Sequence, residues 1–161
     1  MRDALPNIYE HWIAKDLFAY LHLARERLDR AEFLQVMNRP KRYIARDAID
    51  AKVISLETLR TYYEDKDWML ERLDRLEYDL SIMKRMSPYA AIHYLSNAMK
   101  YQDYLKDYAK EHHINEQELL DVLNAVHESS QSCRTFAEWF TYIDTYTEEL
   151  QKQAKSPASN D

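Results

Sequence analysis

Residues 67–86, DWMLERLDRLEYDLSIMKRM, carry the clearest pattern in the chain. Met69, Leu73, Leu76, Leu80 and Met83 are separated alternately by four residues and three. That spacing lines them up on one stripe of an α-helix. The stripe amounts to about two heptads of an a/d seam. It suits a helix packed inside a bundle, and it also suits a short coiled coil between two chains. Glu71 and Arg75 stand four apart with the acid first, the favourable order for a helical ion pair.

Moving outward, the apolar spacing stays helical. Ser87 reads as a cap with Pro88 at the first helical position. The helix they open carries Ala91, Ile92, Leu95 and Met99, and the pattern continues through Tyr101, Tyr104, Leu105 and Tyr108. Asn115 with Glu118, and Thr135 with Glu138, have capping-box spacing. The second pair opens a helix presenting Phe136, Trp139, Phe140, Ile143 and Leu150. Upstream, Ser55 caps a segment with Leu56, Leu59 and Tyr63, and Asp29 caps one with Phe33, Leu34 and Met37. Residues 12–28 present Ile13, Leu17, Tyr20, Leu21, Ala24 and Leu28 as a helix face. Pro40 ends the helix before it, because the residue preceding proline avoids the helical region. Asn38-Arg39-Pro40-Lys41-Arg42 is therefore a loop, with a short helix expected from Arg46 to Lys52. No β-strand and no internal repeat is legible. The expectation is an all-α fold, an irregular bundle of about six to eight helices. Residues 1–153 form one helical domain, and 154–161, polar with Pro157, read as a tail or linker.

Composition narrows the function. Of 161 residues, 46% are hydrophobic and 31% charged, enough for a core and too polar for a membrane protein. No apolar run approaches the roughly 20 residues that span a bilayer. The N-terminal MRDALPNIYE has no apolar signal core. Cys133 has no partner for an internal disulfide, which suits a reducing cytoplasm. A net charge of −6 argues against coating nucleic acid over the whole surface, though not against a local basic patch. The chain contains no glycine, so neither a Walker-type loop nor a dinucleotide fingerprint can be written.

Catalytic constellations are not evident. His112 and His113 are adjacent and diverge on a helix, and His93 and His127 lack a partner at i+3 or i+4, so no metal site is expected. No serine or threonine sits in a nucleophile pattern, and no catalytic residue is assigned. Thirteen tyrosines, Tyr101, Tyr104 and Tyr108 among them, read either as core margin or as a surface for a partner or for stacked bases. The run from Arg39 to Arg46 is the best functional candidate. Arg39, Lys41, Arg42 and Arg46 place four cations and no acid in eight residues. A helix start beside them would make a phosphate grip, and a solvated charged turn is the alternative.

Two segments carry a resemblance. Tyr9-Glu10 is followed by Ala14-Lys15-Asp16-Leu17-Phe18-Ala19-Tyr20-Leu21-His22-Leu23-Ala24, and then by Asp29 through Asn38-Arg39-Pro40-Lys41-Arg42-Tyr43-Ile44. Together they resemble the start of the 2B subdomain of UvrD/Rep-type superfamily 1 DNA helicases, in which a "KD…AYL" helix precedes an "N-x-P-K-R" turn. Ser87-Pro88-Tyr89-Ala90-Ala91-Ile92 and Thr135-Phe136-Ala137-Glu138-Trp139-Phe140 are similar to later 2B sequence. The resemblance implies a helical insertion in the second motor domain, beginning and ending near the insertion points, with the polar tail returning toward the motor. It implies that ATP and magnesium belong to the parent motor and that this segment holds no cofactor. It further implies that the segment contacts duplex DNA and controls motor closure. Relatives follow "P-K-R" with a Gly-Ile-Gly turn, where this chain has Tyr43-Ile44-Ala45. The expected DNA-binding residues are Arg39, Lys41, Arg42, Tyr43 and Arg46, working as side-chain phosphate contacts. The alternative is a helical protein-interaction module that docks a partner or its own motor without binding DNA.

Overall fold

The computed structural model describes residues 7–25, 28–50 and 54–155. Eight α-helices and no strand run through the described residues. They are α1 (Trp12–Arg25), α2 (Arg30–Val36), α3 (Leu56–Tyr62), α4 (Asp67–Met83), α5 (Pro88–Asn97), α6 (Tyr101–His112), α7 (Glu116–Ser129) and α8 (Phe136–Lys155). Short 3-10 turns stand at Ile8–Glu10 and Arg46–Ala48. This is the all-α bundle that the spacing predicts. Among the described residues no helix is long and apolar enough to cross a membrane.

The α4 seam lies inside the molecule. Met69, Leu73, Leu76, Leu80 and Met83 are all buried, against a core to which α1, α3 and α5 contribute. The internal-helix reading therefore holds. Arg75 does not pair with Glu71; its Nε stands 3.3 Å from Asp79 Oδ2, one turn further along the helix. α1 is the central element, packing on α2, α4, α5 and α7. Its sequence suggests one apolar face, yet Asp16, Ala19 and Leu23 are buried along with that face. A helix surrounded on most sides has little solvent face left.

Local signals set most boundaries. Asp29, Ser55 and Ser87 accept from the backbone amides three residues on, capping α2, α3 and α5 as expected. Asn115 caps α7 through the amide of Gln117, so the expected reciprocal box with Glu118 does not form. At α8 the Thr135 hydroxyl accepts from Glu138, while the Glu138 carboxylate accepts from the amide of Arg134. The helix expected to run on through Tyr108 is broken. α5 ends at Asn97, and α6 begins after Lys100, whose φ is 65°. Tyr43, Lys100 and His113 all hold positive φ, a conformation this glycine-free chain assigns to residues with a side chain. α8 reaches Lys155, so Ala154 and Lys155 belong to a helix and not to a tail. The rest of the expected tail, 156–161, and residues 51–53 lie outside the described residues.

α8 docks through large rings. Phe18 of α1 meets Trp139 and Phe140 edge-on at 5.5 and 6.1 Å, and Arg25 covers Phe136 at 4.6 Å. On α7, His127 stacks on Tyr89 at 4.0 Å and its Nε2 lies 3.0 Å from the Tyr89 carbonyl. Burial lowers the His127 pKa from 6.5, and burial likewise lowers that of His11. A histidine depressed in the folded state binds fewer protons there than when unfolded. Stability is then complete above about pH 7 and falls as pH drops through the unfolded value. Thermal midpoints measured from about pH 7 to about pH 5 should decline, and His127→Gln should flatten the decline. An unchanged slope in that variant would remove His127 as a source.

Candidate nucleic-acid interface

The turn between α2 and the Arg46 turn is built around Asn38. Its Oδ1 accepts from the amides of Arg42 at 3.3 Å and Ile44 at 3.0 Å, and its Nδ2 donates to the Ile44 carbonyl at 3.0 Å. The Ala45 amide donates to the Tyr63 hydroxyl at 2.7 Å. These amides are occupied within the fold. The helix expected over Arg46–Lys52 is a single 3-10 turn over Arg46–Ala48. A phosphate grip made by a helix N-terminus is therefore absent here, and any anion contact falls to side chains.

The four cations of the run have different fates. Arg39 points inward, its Nη1 standing 2.9 and 3.2 Å from the two oxygens of Asp16, and its guanidinium lies over Trp12 at 5.7 Å. Asp16 is fully buried and also accepts from Gln35 at 2.8 Å and Tyr101 at 2.7 Å. Burial first, and the Asp16 carboxylate second, push the Tyr101 phenol well above its ordinary range, so it remains a donor. Arg42 also points inward. Its Nη1 donates to Tyr20 Oη at 2.9 Å, the Met37 carbonyl at 3.0 Å and the Val36 carbonyl at 3.2 Å. Lys41 and Arg46 are exposed. The Lys41 ammonium stands 3.5 Å from Glu111, an exposed pair worth about 0–1 kcal/mol.

Tyr43 is 65% exposed and holds φ 62°. A left-handed backbone costs a residue with a side chain roughly 1–2 kcal/mol. The geometry that glycine usually supplies is thus retained here with a phenol ring projecting from it. The Arg72 guanidinium of α4 lies over the Tyr43 ring at 5.2 Å and over the Trp68 ring at 4.9 Å. Arg72 Nη1 also reaches the Arg42 carbonyl at 3.4 Å.

Between this turn, α4 and the α5–α6 corner lies a cleft of about 340 Å³. Lys41, Arg42, Arg72, Arg75 and Lys100 line it, with Asp79 as the acid. Asp79 is buried and already engaged, accepting from Tyr94 Oη at 2.6 Å and from Arg75. Burial and this carboxylate push the Tyr94 phenol up to about 12. Across the turn, a second hollow of about 430 Å³ carries Asp103, Asp107 and Glu111 on one stripe of α6. Lys41 and Lys100 line this hollow as well as the cleft, so the turn has one flank rich in cations and another where three carboxylates face two lysines. Tyr104 and Tyr108 line the second hollow half-buried, and Tyr101 is fully buried, so those three tyrosines form core and its margin.

Of the residues expected to bind DNA, the structure brings Lys41 and Arg42 into the cationic cleft and leaves Tyr43 beside it against Arg72. Arg46 lies outside the cleft, and Arg39 is committed to Asp16. Sequence reading did not single out Arg72 or Lys100, and took Arg75 only as the partner of Glu71 in a helical ion pair. The available signal was Trp68, Arg72 and Arg75 at i, i+4 and i+7, one stripe of α4 adjoining the apolar seam. Comparison of the chain with protein-family models, curated proteins and solved structures finds no match.

Proposed function

We propose that this chain is a 2B-type helical accessory subdomain of a UvrD/Rep-type superfamily 1 DNA helicase, a cytoplasmic protein. In this reading it touches duplex DNA nonspecifically and controls closure of the motor domains, which bind ATP and magnesium. The observation that supports it is the Asp16–Arg39 pair. It joins the two segments on which the resemblance rests, the Lys15-Asp16 helix and the Asn38–Arg42 turn. Lys41, Tyr43 and Arg46 are then left facing solvent. Duplex contact uses Lys41 and Arg46 on phosphates, with Arg39 and Arg42 as positioning residues that hold the turn.

Fluorescence anisotropy with a labelled mixed-sequence duplex tests this. Affinity should fall steeply with salt, and Lys41→Ala with Arg46→Ala should weaken binding alike for all sequences. That double variant should also shrink the slope of log K against log salt by roughly 2, one step per lost phosphate contact. Undetectable binding at low salt, with the circular dichroism of a folded helical protein, would overturn the DNA contact.

A further inference from the structure

We propose that Tyr43 and Trp68, both in contact with the Arg72 guanidinium, form a stacking site for unpaired nucleotides, with the strand's phosphates held in the adjoining cationic cleft. The inference deepens the nucleic-acid reading of this face and rests on it. Tyr43 is 65% and Trp68 50% exposed, and Arg72 covers one face of each ring. Neither ring serves the core. Tyr43 is moreover held at φ 62°, an unfavourable conformation for a bulky residue that no burial of its ring offsets.

The cleft supplies the second half. Five cations line it against one carboxylate. Arg75 is bonded to that carboxylate, Arg42 donates inward to Tyr20 and two carbonyls, and Lys41 stands 3.5 Å from Glu111 in an exposed pair, so Arg72, Lys100 and a swinging Lys41 are the cations offered to a phosphate. Arg72 belongs both to the cleft and to the two stacks, so base sites and phosphate site share one guanidinium. Base stacking on aromatic side chains beside a positive groove is how single strands are held without sequence preference. Duplex bases are stacked on each other and present only their edges, so the rings discriminate in favour of unpaired nucleotides. On the other flank of the turn Asp103, Asp107 and Glu111 outnumber Lys41 and Lys100, which favours the α4 side for the strand.

Titration of the full chain with fluorescein-labelled oligo(dT), with an abasic oligonucleotide of equal charge, and with a blunt duplex tests the proposal. Tyr43→Ala and Trp68→Ala should each weaken oligo(dT) binding roughly 5- to 150-fold. Trp68→Ala, which lies outside the basic run, should leave duplex affinity within about twofold, since duplex binding draws on phosphates alone. The abasic strand should bind the parent protein no better than it binds the two variants, and oligo(dT) should quench tryptophan fluorescence in the parent but not in Trp68→Ala. Oligo(dT) affinity unchanged in the Tyr43→Ala, Trp68→Ala double variant would overturn the stacking site, as would equal binding of abasic and thymine strands. If duplex binding then still depends on Lys41 and Arg46, the accessory-subdomain reading survives that failure. If oligo(dT) binds through the rings while the duplex does not bind, the stacking site survives and the duplex contact falls. Binding of neither probe at low salt overturns both.

Discussion

Asp16→Ala should destabilise the protein by about 3–5 kcal/mol, the usual cost of removing one partner from a buried charge pair. The carboxylate is fully buried and serves three donors from three parts of the chain. Gln35 comes from α2, Arg39 from the turn, and Tyr101 from the start of α6. Without it, a half-buried guanidinium and a fully buried phenol lose their acceptor together. Asp16→Asn keeps an oxygen for Tyr101 but not the charge that holds Arg39, and should cost less. Urea denaturation reads both, with the midpoint moving and the slope unchanged. A loss below about 1 kcal/mol for the alanine variant would show that Asp16 is not the hub of this network. The variant also separates positioning from charge in DNA binding. Deleting a negative charge near a phosphate site should tighten binding if Coulomb attraction alone matters. If Asp16 acts by holding the turn, binding weakens instead.

That network also shows where sequence reading stops. The seam of α4 was legible because five apolar residues at alternating spacings admit one helix face, and all five are buried. Caps at Asp29, Ser55 and Ser87 were legible because they are local: an oxygen and an amide three residues on. The break between α5 and α6 was not. No glycine or proline marks it, and Lys100 takes a left-handed conformation that only its surroundings dictate. The interior role of Asp16 was equally hidden, since a carboxylate on a helix normally signals the solvent side. Its partners are 19, 23 and 85 residues away in sequence. The candidate site divides along the same line. The basic run was visible as composition, but which of its cations face out was decided by distant residues. Arg72, Arg75 and Lys100 join Lys41 only through tertiary packing.

Arg42→Ala and Lys41→Ala, neighbours of the same charge, should therefore behave differently. Arg42 donates from one nitrogen to Tyr20 Oη and to the carbonyls of Met37 and Val36. Both carbonyls lie at the end of α2, where the last turn of any helix leaves acceptors without intrahelical partners. A hydrogen bond involving a charged group contributes about 1.5–3 kcal/mol, so Arg42→Ala should cost at least that range. Arg42→Lys should recover part of the loss, because all three bonds run from one nitrogen and an ammonium carries three donors. Lys41→Ala removes one exposed pair with Glu111 and should stay within about 0.5 kcal/mol of the parent. DNA affinity should fall in both variants for different reasons. In Lys41→Ala the protein keeps its melting temperature and loses a phosphate contact. In Arg42→Ala the turn that presents Lys41 and Tyr43 loses its anchor, and affinity falls together with stability. Equal stability for the two variants would mean that the inward course of Arg42 contributes nothing, and that the run is a uniform charged loop.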